Sequence, residues 1–386
     1  MSANRAPDTE PVGASILFVD DEPDGLRADV AAGLDDRVQH EVIHPRDVCV
    51  GHLESADLVL VDFRLENWNE RDNQPDIALQ PATGMALAVV LREHVDRSQK
   101  DRLTAFALHS AHLNEVRGRL PTTRVQHLLA RLNNLEWVFP KTESQRYEQM
   151  VILAEAVRQL PRRWPGGGDD AMSEVKSLLD MDLEVPSFDR CWREVQECQA
   201  PVHELRDEGH GLLFVRWLLH QVMPYPCFLS EAHWVAARLR VSVDELQAVI
   251  DGGSQLAQDL QAIRYSGILA GFLGERWWHG ALEDYVWEIT GGRTGDAQRL
   301  RDGLRERAGR EFTSIKSDPP VVCLNADLQP AGEFGTPATA VRLRPDHWPA
   351  FADAAWMDIS TVQEDPTLAA MVHPLDQERI GTEDEE

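Results

Sequence analysis

The sequence lacks the features that mark a membrane or secreted protein. The longest apolar stretch, residues 211–223, is interrupted by Arg216 and His220 and is too short to span a bilayer. The first 15 residues contain no apolar segment of the kind found in signal peptides. The five cysteines are scattered and odd in number, which is typical of reduced thiols. These absences predict a cytoplasmic protein that does not enter a membrane.

Positive charge is also scarce. The chain has 38 Lys and Arg residues against 65 Asp and Glu residues, for a net charge of −27. Such a field repels phosphate backbones and anionic lipids, so it argues against a nucleic-acid partner. The apolar fraction of 43% and the charged fraction of 27% are typical of globular proteins. With 386 residues, the chain is long enough for two or three domains.

The common catalytic signatures are missing. The sequence contains no P-loop, no GxSxG elbow and no other glycine-rich phosphate cradle. The stretch HELRDEGH, at 203–210, lacks the HExxH spacing of metalloproteases. We therefore expect no enzymatic activity beyond the phosphoryl chemistry described below.

Residues 14–160 alternate short β-rich apolar runs with amphipathic stretches, which predicts an α/β domain with a parallel sheet covered by helices. Helices are predicted over 85–95 and 147–160. The predicted strands cover 16–19, 38–43, 58–61, 104–108 and 137–139.

The remaining chain is predicted to be mostly α-helical, with a small β-hairpin-containing segment near the C-terminus, where 321–324 and 340–343 are expected to be strands flanking a turn region. Apolar residues spaced by three and four predict helices over 173–182, 187–199, 202–223, 230–240, 243–262, 266–290 and 295–310. The predicted division is a flexible tail (1–13), the α/β domain (14–160), a linker rich in Pro and Gly (161–172), a helical domain (173–310), a strand-containing extension (311–375) and an acidic tail (376–386).

Chemically distinctive residues follow four of the predicted strands. Asp20 and Asp21 follow the first strand, Asp62 the third, Ser110 the fourth and Lys141 the fifth. Because the carboxyl ends of parallel strands meet at one edge, these side chains should converge. Clustered carboxylates need a cation, and hard oxygen ligands suit Mg²⁺.

Such a site could transfer a phosphoryl group. One carboxylate can attack phosphorus and form an acyl phosphate. The metal and Lys141 would neutralise charge on the phosphoryl oxygens, and Ser110 would donate a hydrogen bond to one of them.

Residues 15–160 resemble the receiver domain of two-component response regulators. The matching segments are FVDDE at 18–22, LVDFRLE at 60–66, TGMALAVVLRE at 83–93, ALHSA at 107–111 and FPK at 139–141. The resemblance implies a flavodoxin-like (βα)5 fold with a five-stranded parallel sheet. It implies that Asp62 is the phosphoacceptor, Ser110 the switch hydroxyl and Lys141 the family's lysine. The implied Mg²⁺ ligands are Asp20, Asp21, Asp62 and the backbone carbonyl of Arg64.

The chain also departs from the receiver pattern. The loop over 66–83 is long and lies beside the acceptor, and Pro140 precedes the lysine instead of following it. The register of the fifth strand, and whether Trp137 or Phe139 serves as the aromatic switch, are therefore left open. Arg64 and His112 occupy positions where receivers tune hydrolysis of the acyl phosphate.

Two segments of the helical half allow more than one interpretation. Residues 228–250 resemble a helix-turn-helix, but the second helix would begin Val-Asp-Glu-Leu, which favours two packed helices over a DNA-reading pair. Residues 264–289 are rich in aromatic residues and could fill a core or form an interface. Their glycines at 267, 271 and 274 are spaced for close approach of helices.

The sequence thus predicts a response-regulator-like signalling protein that takes a phosphoryl group from a histidine kinase or phosphotransfer protein. Phosphorylation would change contacts of the helical C-terminal region with an unidentified output partner. A homodimer is compatible with this interpretation. The alternatives are a phosphate sink without output, a transcriptional regulator that uses 228–250, and a catalytic effector within 173–375, which no triad, metal motif or cofactor loop in the sequence supports.

Overall fold

The computed structural model describes residues 13–34, 38–68, 81–98, 100, 102–113, 125–165, 168–181, 187–202, 211–313, 315 and 317–381. The chain divides into two compact units. Unit 1 lies within 1–118, 126–167 and 203–216, and unit 2 lies within 119–125, 168–202 and 217–386. Unit 1 thus includes a short segment that the sequence analysis placed in the helical domain.

Unit 1 contains a five-stranded parallel sheet in the order β2-β1-β3-β4-β5. All five predicted strands are confirmed to within two residues. The strands are β1 (Ala14–Val19), β2 (Val38–Ile43), β3 (Leu58–Asp62), β4 (Ala105–Ser110) and β5 (Trp137–Pro140). The first four residues of β3 are at most 1% exposed. Burial on both faces explains why the strand sequences are continuous apolar runs and do not alternate.

Helices flank this sheet and give a flavodoxin-like α/β fold. Two of them correspond to the helices predicted over 85–95 and 147–160. The helices are α1 (Pro23–Gly33), α2 (Val50–Ser55), α3 (Gly84–Arg97), α4 (Val125–Leu132) and α5 (Arg146–Gln159), with a 3₁₀ turn at Pro45–Asp47. Proline at the first position favours the start of α1, and Thr83 caps α3 by accepting a hydrogen bond from the Ala86 N–H.

After residue 167 the chain is mostly helical, as predicted. The helices are α6 (Gly168–Leu178), α7 (Phe188–Glu197), α8 (Leu212–Trp217), α9 (Ala232–Leu239), α10 (Val243–Ile250), α11 (Gln255–Ala262), α12 (His279–Thr290) and α13 (Ala297–Ala308). A π-helical turn at Leu218–Val222 follows α8, and β6 (Leu229–Ser230) pairs with β7 (Trp277–Trp278). Helix α6 begins inside the segment predicted as a linker.

Glycine accounts for two differences from the predicted helices. The single helix predicted over 243–262 is interrupted at Gly252 and Gly253, and Ser254 caps a new helix by accepting from the Ala257 N–H at 3.2 Å. The helix predicted over 266–290 begins only at residue 279. Gly271 and Gly274 have φ angles of 81° and 80°, which helices exclude. The prediction that their spacing serves helix–helix packing was therefore wrong.

The C-terminal part contains a four-stranded sheet in the order β10-β11-β8-β9. Its strands are β8 (Val321–Leu324), β9 (Pro330–Gly335), β10 (Ala340–Leu343) and β11 (Ala355–Asp358), followed by α14 (Ile359–Glu364), α15 (Pro366–Ala370) and a 3₁₀ turn at Pro374–Arg379. The two predicted strands, β8 and β10, have the predicted bounds but do not pair with each other. The hairpin is formed by β8 and β9, and β11 lies between β8 and β10.

Among the residues that the structure describes, no helix is both long enough and apolar enough to cross a lipid bilayer. All five cysteines are free thiols, and only Cys49 is exposed.

Candidate functional site

Three carboxylates meet at the carboxyl edge of the unit 1 sheet. Strands β1 and β3 are hydrogen-bonded neighbours, with Val19 opposite Val61, so the residues that follow them lie side by side. One carboxylate oxygen each of Asp20, Asp21 and Asp62 can be chosen so that all three lie within 4.8 Å of one another. The structure thus brings together the three acidic residues that the strand ends predicted.

Lys141 completes this acidic cluster. Its Nζ lies 2.9 Å from Asp20 Oδ2 and 2.8 Å from Asp62 Oδ1. The strand-five register that the sequence left open pairs Ser110 with Pro140, and the backbone N–H of Lys141 donates to the Ser110 carbonyl at 2.9 Å. Proline at 140 ends the strand, and the next residue reaches the carboxylates.

The cluster has one ammonium for three carboxylates. Burial raises the pKa of Asp62, and the Asp20 and Asp21 carboxylates raise it further, while Lys141 acts in the opposite direction. Burial alone would lower the pKa of Lys141, but the Asp62 and Asp20 carboxylates raise it on balance. The donor set is all oxygen and carries excess negative charge, which fits a hard divalent cation such as Mg²⁺.

Local hydrogen bonds hold the two aspartates that follow β1. Asp20 Oδ1 accepts from the Glu22 N–H at 2.8 Å. Asp21 Oδ2 accepts from the Asn67 N–H, and Asn67 Nδ2 donates to Glu22 Oε1 at 2.9 Å. The loop after β3 therefore supports the residues after β1. Sequence reasoning did not identify Asn67, because its role depends on a contact between segments 45 residues apart.

Ser110 lies at the end of β4 and is 1% exposed. Its Oγ accepts a hydrogen bond from the His112 N–H at 3.0 Å, which leaves the hydroxyl proton available for a further acceptor. Its position at this edge agrees with the sequence prediction. Its role as a switch hydroxyl stays a prediction.

Gly84 is a second position whose role the sequence analysis missed. A Cβ atom at this position would lie 1.9 Å from the Asp62 carbonyl oxygen, so only glycine fits without a backbone shift. The Gly84 N–H donates to the Phe63 carbonyl at 2.9 Å. The Thr83-Gly84 pair thus starts α3 directly against the backbone of Asp62, and these residues belong to the TGMAL segment already noted in the sequence.

For the other predicted positions, the structure gives the location but does not test the predicted role. Arg64 forms an isolated β-bridge with Thr83, and its Nη1 lies 3.6 Å from Glu66 Oε1; its carbonyl as a metal ligand stays a prediction. Trp137 and Phe139 are both buried, at 4% and 0% exposure. Within the long loop, residues 69–80 lie outside the described part of the chain.

The helix-turn-helix-like segment forms two helices in unit 2, α9 and α10. Ser242 and Glu245 make a reciprocal capping box at the start of α10. The first turn of α10 carries Asp244 and Glu245, and no basic residue occurs in the helix. The Glu245 carboxylate also accepts from the Thr313 N–H at 2.7 Å. An acidic helix of this kind lacks the positive charge that a DNA groove requires.

The aromatic-rich segment contributes mainly to the core of unit 2. Trp277 and Trp278 are each 2% exposed, and Trp278 packs against Phe228 and Tyr265. Trp287 differs, since it is 60% exposed.

What the structure shows directly is a flavodoxin-like sheet with an acidic cluster and one lysine at its carboxyl edge. No family model, curated protein or solved structure matches the chain.

Proposed function

We propose that unit 1 is a receiver domain that accepts a phosphoryl group on Asp62 with Mg²⁺, and that the protein acts in two-component signalling. The observation that carries the proposal is the contact of Lys141 with both Asp62 and Asp20, inside a three-carboxylate cluster at the carboxyl edge of a parallel sheet. This arrangement combines a nucleophile, a cation site and a fixed positive charge.

Hydrogen bonding favours Asp62 as the nucleophile. Both oxygens of Asp20 are engaged, with Oδ1 accepting from Glu22 and Oδ2 contacting Lys141. Asp62 contacts Lys141 through Oδ1. Its Oδ2 has no hydrogen-bond partner within the described ranges and can attack phosphorus. Asp21 is held by the Asn67 N–H, which suits a metal ligand better than a nucleophile.

The proposed step is a phosphoryl transfer from a phosphohistidine of a histidine kinase or phosphotransfer protein. An Asp62 oxygen forms a bond to phosphorus as the bond from phosphorus to the histidine nitrogen breaks, and the histidine recovers its neutral imidazole. Asp20, Asp21 and Asp62 would hold Mg²⁺, which neutralises charge on the phosphoryl oxygens when bound. Lys141 orients the acceptor and offsets the same charge, and the Ser110 hydroxyl donates to a phosphoryl oxygen in the product.

The consequence we propose is a change in protein–protein contacts, because a new dianionic group at this edge alters which arrangement of Ser110 and its neighbours is favoured.

The alternative in the same class is a phosphate sink, which would be labelled and dephosphorylated without gaining a partner. The acidic character of α10 gives no support to the transcriptional alternative.

The proposal is tested by incubating the full chain with acetyl phosphate and Mg²⁺ and measuring the intact mass. We expect a gain of about 80 Da, the mass of one phosphoryl group, that EDTA abolishes. Asp62→Asn should remove the gain, and Asp24→Asn, which changes an exposed aspartate on α1, should not. An unlabelled wild type, or equal labelling of Asp62→Asn, would overturn the proposal.

Output is tested separately, by pull-down from native lysate with labelled and unlabelled protein. A partner that binds only one form supports the switch. Identical partner sets would favour the phosphate sink.

A further inference from the structure

Unit 1 contains a second polar site, at the opposite edge of the same sheet. A cleft of about 660 Å³ opens where Thr104 precedes β4 and where Asn134 and Glu136 precede β5. All of the residues that line it belong to unit 1. This amino edge lies at the other end of the strands from the acidic cluster.

The cleft is strongly basic in a chain of net charge −27. Asp96 is the single carboxylate among the residues that line it within the described part of unit 1. The cationic side chains that line it are Arg92, Lys100, Arg102, Arg162, Arg163 and Arg216.

One wall of the cleft is organised by a buried carboxylate. Glu136 is 0% exposed and accepts from both Arg92 Nη atoms, at 3.3 and 3.1 Å. Arg216 Nη2 lies 2.6 Å from the same carboxylate. Burial would raise the pKa of Glu136, but the two guanidinium groups hold it at about 2. Two fixed cations therefore share one negative charge, and the wall retains positive charge.

A second wall contains a buried ammonium group whose hydrogen-bond acceptors are all neutral. Lys100 is 8% exposed, and its Nζ donates to the Thr104 hydroxyl at 2.6 Å and to the carbonyls of Leu53 and Ala56. These acceptors are neutral. Burial lowers the pKa of Lys100 to about 8. The Asp57 and Glu54 carboxylates oppose this shift, and Arg102 and Arg162 add to it. A bound anion would add an opposite charge next to this ammonium group.

The segment after α5 adds two more cations and an unpaired donor. Arg162 donates to the Ser98 carbonyl at 3.1 Å and makes no ion pair with a described residue. Arg163 is exposed and has no partner within the described ranges. Trp164 lines the cleft at 5% exposure, and its Nε1–H has no acceptor in the same part of the chain.

We propose that this cleft binds a small polyanion that carries two or more phosphate groups, as nucleoside polyphosphates and inorganic polyphosphate do. Arginine presents paired N–H groups that match phosphate oxygens, and several arginines and a lysine facing one cleft suit more than one phosphate. The volume is that of a small-molecule site, and Leu103 and Leu212 provide apolar lining.

Calorimetric titration of the full chain tests the proposal with tripolyphosphate, ATP, AMP, adenosine and hexaglutamate. We expect tripolyphosphate and ATP to bind, AMP to bind more weakly and adenosine not at all. ATP binding more tightly than tripolyphosphate identifies a nucleotide site, and equal affinities identify a polyphosphate site. Absence of binding by both, or tighter binding of hexaglutamate, overturns the proposal.

Two variants locate the binding. Arg163→Glu replaces an exposed cation and should weaken binding by about tenfold or more, because a charge-assisted contact becomes a repulsion. The matched control is Arg293→Glu in unit 2, which changes another exposed arginine without a described partner and should bind as wild type. Equal affinity of both variants and the wild type would contradict the assignment.

Lys100 provides an independent readout. Affinity for tripolyphosphate should fall as pH rises from 7.5 to 9, because Lys100 loses its proton in this interval. Lys100→Met should weaken binding and flatten this pH dependence, with circular dichroism confirming that the variant is folded. Unchanged affinity and an unchanged pH profile in folded Lys100→Met would remove Lys100 from the site. Asp62→Asn should leave binding unaffected, which separates this inference from the proposed phosphoacceptor.

Discussion

The two edges of the unit 1 sheet carry opposite charge arrangements. At the carboxyl edge, three carboxylates cluster, and Lys141 contacts two of them, Asp20 and Asp62. At the amino edge, Arg92 and Arg216 share the carboxylate of Glu136, and Lys100 has only neutral acceptors. The chain has four lysines, and one of them is partly or fully buried at each edge.

The comparison shows that a net charge of −27 says little about an individual site. At the carboxyl edge the carboxylates outnumber the single ammonium group, and at the amino edge Arg92 and Arg216 outnumber the Glu136 carboxylate that they contact. The ligand that we propose is a cation at the carboxyl edge and an anion at the amino edge, each opposite in sign to the excess charge there. Opposite ends of the same strands can therefore support separate binding functions.

We expect the largest loss of stability when the buried carboxylate at the amino edge is removed. Glu136→Gln leaves Arg92 and Arg216 without an anionic partner, and we expect a loss of about 3–5 kcal/mol of unfolding free energy. Urea unfolding measures this loss. The control is Glu148→Gln on α5, an exposed glutamate without a described partner, which should change stability by less than about 0.5 kcal/mol. Equal stability of the two variants would mean that the contacts of Glu136 with Arg92 and Arg216 do not stabilise the fold.

The pH dependence of stability provides a second test of the contribution of the Glu136 carboxylate. The pKa of Glu136 is about 2 in the folded chain, below the ordinary value of 4.5. Its contribution is therefore complete above pH 4.5 and is lost as pH falls toward 2. Comparing unfolding of wild type and Glu136→Gln across this interval should show the difference between them shrinking as pH falls. A difference that stays constant would contradict the assigned pKa shift.

At the carboxyl edge, the largest structural effect is expected from Gly84→Ala. The added Cβ would overlap the Asp62 carbonyl oxygen, so we expect a loss of at least about 2 kcal/mol and reduced phosphoryl labelling. Gly25→Ala in α1 is the matched control, because nothing lies within 4 Å of its added Cβ, and it should be neutral or slightly stabilising. Denaturant unfolding and intact-mass labelling measure both effects. A Gly84→Ala protein as stable as Gly25→Ala would show that the close approach is relieved at little cost.

The smallest change in unfolding free energy is expected from the addition of Mg²⁺. If the ion binds only the folded cluster, a concentration ten times its Kd should stabilise the chain by about 1.4 kcal/mol. The shift should vanish in Asp20→Asn and persist in Glu136→Gln, since the latter alters only the amino edge. Thermal unfolding with and without Mg²⁺ measures it. A shift of equal size in Asp20→Asn would place the ion elsewhere.

The carboxyl edge was largely predictable from the sequence. Buried parallel strands are continuous apolar runs, so Asp62 and Lys141 could be identified as strand-end residues and their convergence followed from the topology. The structural roles of Asn67 and Gly84 could not be identified, because each depends on a backbone contact that local sequence does not encode.

The amino edge was not predictable in the same way. Arg216 meets Glu136 across 80 residues, from a segment whose pattern indicated only a helix. In the C-terminal sheet, β9 was missed because it contains proline and glycine and is largely exposed. Contacts between distant segments and strands without an apolar pattern leave little local signal.

The central claim is that Asp62 forms an acyl phosphate. Borohydride reduces an aspartyl phosphate to homoserine, so treatment of the phosphodonor-labelled chain followed by peptide mapping identifies the modified residue. We predict homoserine at position 62 and unmodified Asp20 and Asp21, with no conversion when the phosphodonor is omitted. Conversion at another aspartate, or none in a chain that gained the phosphoryl mass, would contradict it.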